Sequence, residues 1–256
     1  MSVIYLPFHL DEHLPNLNVP LPADVDVTEF STALPEADVW TRLSTLYDAV
    51  GGVVERAIQA DSEVTVVSGD CTLSIGMTAG LQRAGLDPSI VWVDAHGDLQ
   101  SLETTSSGYL GGMALRLLLG YRHDLIADRL ALRPPDPERV LLVDGRDLDP
   151  AEVDYATSAR LRRSSLGDLS AEDLPAGPFL VNFDLDVLDP AALPGLRYPA
   201  KNGPDPESVL AAAQTILGTG RAIALNLACT WEAGHNDPTG VREHLVSSIL
   251  AIRAQT

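Results

Sequence analysis

The sequence predicts an α/β protein: a mainly parallel sheet sandwiched between two helical layers, in one domain over residues 1–256. Three observations predict it. Strand-like and helix-like stretches alternate along the chain. The strand-like stretches are near-continuous runs of Val, Ile and Leu rather than apolar/polar alternations. Acid-rich loops follow the strands directly. Continuous apolar strands are buried on both faces, so helices must cover each side, and helical crossovers make the sheet parallel.

Taken in order, SVIYLPF (2–8) starts as a buried strand and runs into a loop rich in Pro, Asp and His. Residues 40–60 carry apolar side chains at helical spacing. VTVVSGD (64–70) is a strand broken at Gly69, and 72–85 is a helix stopped by Gly85. SIVWVDAHGD (89–98) is a strand entering a loop, and GGMALRLLLGY (111–121) is a helix. The Pro-rich stretch 132–138 is a loop between elements. RVLLVDGRDLDPAE (139–152) is a strand and loop leading into a helix, with Asp149 as its cap and Pro150 as its first residue. PFLVNFDLDVL (178–188) is a strand and loop, and 205–218 is a helix with Asp205 available to cap it. A strand over 221–231 and a helix over 241–254 complete the pattern.

Composition narrows the function. There are 36 acidic residues against 17 basic ones, a formal net charge of −19. Nucleic acids and anionic membranes require a basic face, so neither is expected as a partner, and the ligand is expected to be a small molecule. No run reaches the roughly 18 apolar residues of a spanning helix. The start of the chain lacks a basic segment, an apolar core and a small-residue cleavage site, so a cytoplasmic protein is expected. Two cysteines, Cys71 and Cys229, make no disulfide framework; a single bridge between them requires their strand ends to approach. Nucleotide-binding glycine motifs are absent.

Chemistry concentrates in VDAHGDL (93–99) and NFDLDVLDP (182–190). Asp94, His96 and Asp98 alternate, as do Asp184 and Asp186, and alternate residues of an extended segment share a side. In a parallel sheet, ligands bind beyond the carboxyl ends of the strands, which is where both runs fall. Five such groups aimed at one volume repel one another unless cations sit between them. The expectation is a metal site, with two metals. Each run alone also reads as an ordinary polar turn. Mixed carboxylate and imidazole donors suit Mn²⁺, with Fe, Co or Zn as alternatives.

Together with VSGDCTLSIG (67–76), these runs resemble the ureohydrolases: arginase, agmatinase, formimidoylglutamase and their relatives. The three segments are similar to that family's GGDHS, D-A-H-x-D and S-F-D-x-D-x-x-D-P motifs, in the same order. The resemblance implies an arginase-like fold and a pair of Mn²⁺ ions held by Asp94, His96, Asp98, Asp184 and Asp186, with Asp94 and Asp184 bridging. It implies hydrolysis of a C–N bond in a small linear guanidino or amidine compound by a metal-bridging hydroxide, which Asp98 would hold as the catalytic group. It also implies a homo-oligomer, since the family often forms trimers or hexamers. GRDLDPAE (145–152) resembles a family segment that faces a substrate's amino group, which nominates Asp147, Asp149 and Glu152.

The chain departs from the family pattern in three places. Cys71 stands where the sixth ligand is a His; a thiolate there would draw preference toward softer metals such as Zn²⁺, Co²⁺ or Fe²⁺. In LETTSSGYLGGM (102–113) the family's proton-shuttling His falls on Gly111 and its Asn on Tyr109, leaving Thr105 and Ser107 as substrate contacts or as self-bonded turn residues. A branch of the family that hydrolyses Nω-hydroxyarginine is similar in its Cys and in ETT…GYLGGM, which points to an Nω-modified arginine. The family's guanidinium-pairing Glu falls on Cys229, with Glu232 on the loop beyond as its substitute; otherwise the substrate is a neutral amidine or an amide. The non-enzymatic alternative is a metal-binding scaffold that these changes have silenced. His9 and His13 read as loop histidines near the site mouth, and His235 as a secondary acid/base candidate.

Overall fold

The structure, a computed structural model, describes residues 2–256. The elements in order are β1 (Ser2–Leu6), β2 (Phe8–His9), β3 (Glu12–His13), β4 (Asp26–Glu29), α1 (Val39–Asp61), β5 (Val64–Ser68), α2 (Leu73–Arg83) and β6 (Ser89–Asp94). They continue with α3 (Ala114–Leu118), α4 (Ala127–Leu130), β7 (Val140–Asp144), α5 (Pro150–Ser158), β8 (Arg162–Ser164), β9 (Phe179–Asp184), α6 (Pro206–Leu217), β10 (Ala222–Ala228) and α7 (Val241–Arg253). Eight strands form one sheet in the order β4-β1-β5-β10-β9-β6-β7-β8. Every pairing in it is parallel.

The expected α/β/α layering is what the chain adopts. Alternate residues of the central strands separate into two apolar clusters, Val66 and Trp92 on one face, Val67 and Val93 on the other. Helices α1 to α5 cover the first face; α6, α7 and the Leu14–Leu17 loop cover the second. Asp38 and Asp205 cap α1 and α6 by accepting backbone N–H groups at the third residue on, which satisfies donors the helix leaves free. Asp149 and Glu152 form a reciprocal capping box on α5.

Four readings change. Strand β4 is an exposed edge paired with β1, and β8 is a short, largely exposed edge; neither has an apolar run, so pattern reading passed over both. The stretch 111–121 is a short 3₁₀ turn followed by the five residues of α3, because Gly120 takes a left-handed backbone and the chain turns. Strand β6 stops at Asp94, so His96 and Asp98 lie on a loop rather than on an extended strand. The two thiols are free and belong to clusters on opposite faces, so the bridge between Cys71 and Cys229 does not form.

Strand register positions the site. Ser68, Ala228 and Asp184 pair across β5, β10 and β9, while Phe183 pairs with Val93 of β6. The carboxyl ends of four neighbouring strands therefore lie at one level, and Asp184 and Asp94 emerge side by side. Beneath them, the buried side chains of Ser68, Ser74, Asn182 and Asn226 bond to one another at 2.7–3.1 Å. Among the described residues, no helix is long and apolar enough to cross a membrane.

Helices α1 and α2 pack so closely that a Cβ on Gly76 would lie 2.6 Å from the Tyr47 carbonyl oxygen, and one on Gly80 would overlap that of Gly51. In an open helix, Gly→Ala gains about 1 kcal/mol. Here the added methyl meets backbone, and overpacking of this kind costs about 1–3 kcal/mol. Gly80→Ala is expected to lower the Tm in a thermal melt, at about 2–4 °C per kcal/mol for a chain of this size. A Tm at or above wild type would show that the two helices separate freely.

Candidate metal centre

The site is built from two repeats of one local device. At the end of β6, Asp94 Oδ1 accepts the backbone N–H of His96 at 2.8 Å. At the end of β9, Asp184 Oδ1 accepts that of Asp186 at 2.8 Å. Each aspartate folds its own loop back, so the residue two positions on turns toward the same space. Asp98 sits in the left-handed region at φ 53°, a conformation Asp tolerates better than most residues. Convergence therefore comes from Asx-type turns after the strands, not from alternation along them.

Six donor groups meet as a result. Atoms of Cys71, Asp94 and Asp98 lie within 4.8 Å of one another, as do atoms of Asp94, His96 and Asp186. Asp94 belongs to both groups. Cys71 Sγ is 2.8 Å from Asp184 Oδ2 and 3.6 Å from Asp94 Oδ2, and it accepts from Asn182 Nδ2 at 3.0 Å. His96 Nδ1 lies 3.2 Å from Asp94 Oδ1 and 3.1 Å from Asp186 Oδ2. Thr230 Oγ1 donates to Asp184 Oδ1. All four aspartates are buried.

Electrostatics expose the strain in this arrangement. Burial, and then the neighbouring carboxylates, push Asp98 and Asp184 well above the usual carboxylate range and bring Asp186 to about 7. Burial opposes charge on His96, but its hydrogen bonds to Asp186 and Asp94 outweigh that and raise it to about 12. Burial and the same carboxylates keep the Cys71 thiol protonated. Asp186 Oδ1 is buried with no hydrogen-bond partner. An unpartnered buried oxygen among mutually repelling acids is what a cation would satisfy, and oxygen, nitrogen and sulfur donors fit a transition metal. The residues present fit a metal pair that shares Asp94.

These groups floor a cavity of about 220 Å³, walled further by Asp70, Gln100, Tyr109, Gly111, Gly112, Asp147, Asp149, Glu152, Tyr198 and Thr230. No Lys or Arg is among its lining residues. Of the expected substrate contacts, Asp147, Asp149 and Glu152 reach the wall. Glu152 is committed to backbone, accepting from Leu99 N and Asp149 N at 2.9 Å each, while Asp149 accepts from Gln100 Nε2 at 2.6 Å.

Thr105, Ser107 and Glu232 are not brought to the cavity. Thr105 Oγ1 and Ser107 Oγ accept from Gly108 N and Tyr109 N within their own turn. Glu232 points outward, with 57% of its side chain exposed, 3.8 Å from Arg197. Cys229 is buried in the apolar cluster on the far face, and at this strand end the residue lining the cavity is Thr230. His13 is exposed and His235 packs against Arg242. Sequence reading missed Gln100 and Tyr198 altogether, took Asp70 only as part of the motif around Cys71, and treated Tyr109 only as a gap in a pattern. The one available signal was His9, which is buried at the end of β2 and touches both Asp70 and Tyr109.

Comparison with known proteins agrees with this geometry. The model of the Arginase family matches residues 5–230. The N(omega)-hydroxy-L-arginine amidinohydrolase of Streptomyces lavendulae is 30% identical over 204 residues, covering 78% of this chain and 70% of that protein. The arginase of Bacillus subtilis strain 168 is 32% identical over 167 residues, covering 59% of this chain but only 55% of that protein. Among solved structures, an arginase from Bacillus cereus superposes with a TM-score of 0.81 at 23% identity, over 98% of this chain and 96% of that one. The formimidoylglutamase of Bacillus subtilis gives 0.72 at 12% identity, over 99% of this chain and 86% of that one. At those identities the structures speak for the fold alone. The family-model match spans nearly the whole sheet and every strand end that carries an acid, and this chain belongs to the arginase family.

Proposed function

We propose that this chain hydrolyses a C–N bond of a small linear guanidino compound, with an Nω-hydroxylated arginine as the best-fitting class, on a pair of Mn²⁺ ions. The observation that carries this reading is the donor set: two groups of metal-ligand side chains sharing Asp94 on the floor of one small cavity. Cys71, Asp94, Asp98 and Asp184 would hold one ion; Asp94, His96, Asp184 and Asp186 the other. When bound, such a pair supplies hydroxide at neutral pH by lowering the pKa of a water.

The protein's own groups do the rest. Asp98 is the group whose carboxyl would take and return a proton at the reacting centre. Asn182 orients the Cys71 sulfur, and Thr230 orients Asp184. The acidic rim of Asp147 and Asp149 favours a substrate's ammonium end, and a wall without Lys or Arg disfavours anions. No carboxylate from the end of β10 reaches the cavity. The lack of a carboxylate at that position favours a head group less basic than a guanidine, such as a hydroxyguanidine.

The test is a comparison of Nω-hydroxyarginine, arginine, agmatine, guanidinobutyrate and formimidoylglutamate on the Mn²⁺-loaded protein. Hydroxyurea release from the first is expected to exceed urea release from arginine by at least tenfold. Inactivity toward all five would remove the guanidino reading.

Cys71→His is expected to keep two metals per chain by elemental analysis while weakening the affinity for Zn²⁺ and Co²⁺ relative to that for Mn²⁺. An unchanged preference would make the thiol a bystander.

Metal-free protein should lose stability as pH rises. The raised carboxyl values mean the folded state binds more protons than the unfolded one, so stability is present at low pH and is lost as Asp186 ionises near pH 7. The raised His96 acts in the same direction above about pH 6.5. The Tm of the metal-free chain should fall between pH 5 and 8, and saturating Mn²⁺ should abolish the fall. A metal-free Tm that rises over that range would contradict the crowded-carboxylate site.

A further inference from the structure

A second polar cluster borders the cavity and is not used by the metal centre. Tyr109 Oη lies 3.1 Å from His9 Nε2. His9 Nδ1 lies 3.1 Å from Asp70 Oδ2 and 3.4 Å from the Gly69 carbonyl. Asp70 is itself fixed by backbone, since Leu10 N donates to Oδ2 at 2.9 Å and Thr72 N to Oδ1 at 2.6 Å. The rings stack as a wall: Tyr109 and Tyr198 centroids are 4.4 Å apart, His9 and Tyr109 5.8 Å, and His9 and Tyr198 6.4 Å. The Tyr109 hydroxyl occupies the space into which a Cβ on Gly111 would project, so residue 111 must lack a side chain for the phenol to reach the cavity.

One arrangement of protons satisfies every contact of a neutral imidazole here, with the Tyr198 side chain as the phenol's other neighbour. Nδ1 faces a carboxylate and a carbonyl, both acceptors, so it carries the hydrogen. Nε2 is then bare and accepts the Tyr109 proton. With its hydrogen turned toward His9, the phenol offers its remaining lone pair to the cavity. Burial and the nearby Asp70, Tyr198 and Asp98 hold the phenol un-ionised, so this lone pair is a neutral acceptor.

We propose that Tyr109 Oη is a specificity-determining acceptor that takes a hydrogen bond from an N–H or N–O–H of the substrate's head group, with His9 and Asp70 as positioning residues that set its polarity. This rests on the guanidino reading above. A carboxylate at that wall would select a charged guanidinium; a neutral phenol oxygen matches a neutral hydroxyguanidine better. Several of the cavity's other oxygens are engaged: Thr230 serves Asp184, Gln100 and Asp149 bond each other, Glu152 serves backbone, and Asp70 is held by Leu10 N and Thr72 N.

Two measurements on the full chain test this, the first with diamagnetic Zn²⁺ in the site and the second with Mn²⁺. The imidazole ¹⁵N signals of His9, assigned among the six histidines by the His9→Gln spectrum, should show a protonated Nδ1 and a bare Nε2 at pH 8. Tyr109→Phe should shift the Nε2 signal. A protonated Nε2 overturns the proposal without reference to any substrate. Initial-rate kinetics with Nω-hydroxyarginine should show Tyr109→Phe raising KM about threefold to tenfold, the range of one net hydrogen bond, with metal content unchanged. The KM for arginine should change less than twofold. His9→Gln, whose amide can still accept from the phenol, should stay within about threefold of wild type, while His9→Leu should match Tyr109→Phe. An equal rise in KM toward both substrates, or a His9→Gln rise as large as that of His9→Leu, would reduce the cluster to packing. If wild type turns over no Nω-hydroxyarginine, the substrate assignment fails and the acceptor role with it, whereas the imidazole signals still report the hydrogen-bond polarity.

Discussion

Mutual repulsion among buried acids is the constraint around which the rest of the molecule is arranged. Asp94, Asp98, Asp184 and Asp186 are removed from water within one small volume, an arrangement that raises the cost of every negative charge placed there. The protein answers with donors aimed at individual oxygens. The His96 and Asp186 backbone N–H groups, the Thr230 hydroxyl, the His96 ring and the Cys71 thiol each serve a named aspartate. What those donors leave unsatisfied, above all Asp186 Oδ1, is the demand that cations would meet.

The sheet makes this crowding achievable. Parallel pairing across β5, β10, β9 and β6 brings separate chain segments to one height, so each loop needs only a short turn to reach the shared space. The buried layer of Asn182, Asn226, Ser68 and Ser74 ties three of those strands and the start of α2 together directly below the thiol. Networks of this kind are costly when partly satisfied and specifying when complete, and this one anchors the sulfur's position through Asn182.

Much of this was readable from the chain. Continuous apolar runs marked β5, β6, β7, β9 and β10, because residues buried on both faces leave that signature. The edges β4 and β8 left none, since an edge strand needs neither apolar face. The acids at 94, 98, 184 and 186 were legible because ligand-type residues at fixed spacing after a strand have few other reasons to occur together. Their geometric cause was not: turns, rather than strand alternation, aim them. Thr105, Ser107 and Glu232 were nominated by residue type alone, and local bonding or outward orientation keeps them from the cavity wall. The Tyr109–His9–Asp70 cluster joins three distant positions, and no periodicity connects residues 9, 70 and 109.

The common height of the strand ends also divides the molecule into parts that tolerate change and parts that do not. Inserting one residue within β6 or β9 would move the following acid off the shared level and turn its side chain to the wrong face. The positions where this chain parts from its family's motifs, Cys71, Tyr109, Gly111 and Cys229, all lie past a strand terminus or in a connecting segment. Residues in those connecting segments can therefore be exchanged with less disturbance to the sheet that presents the acids.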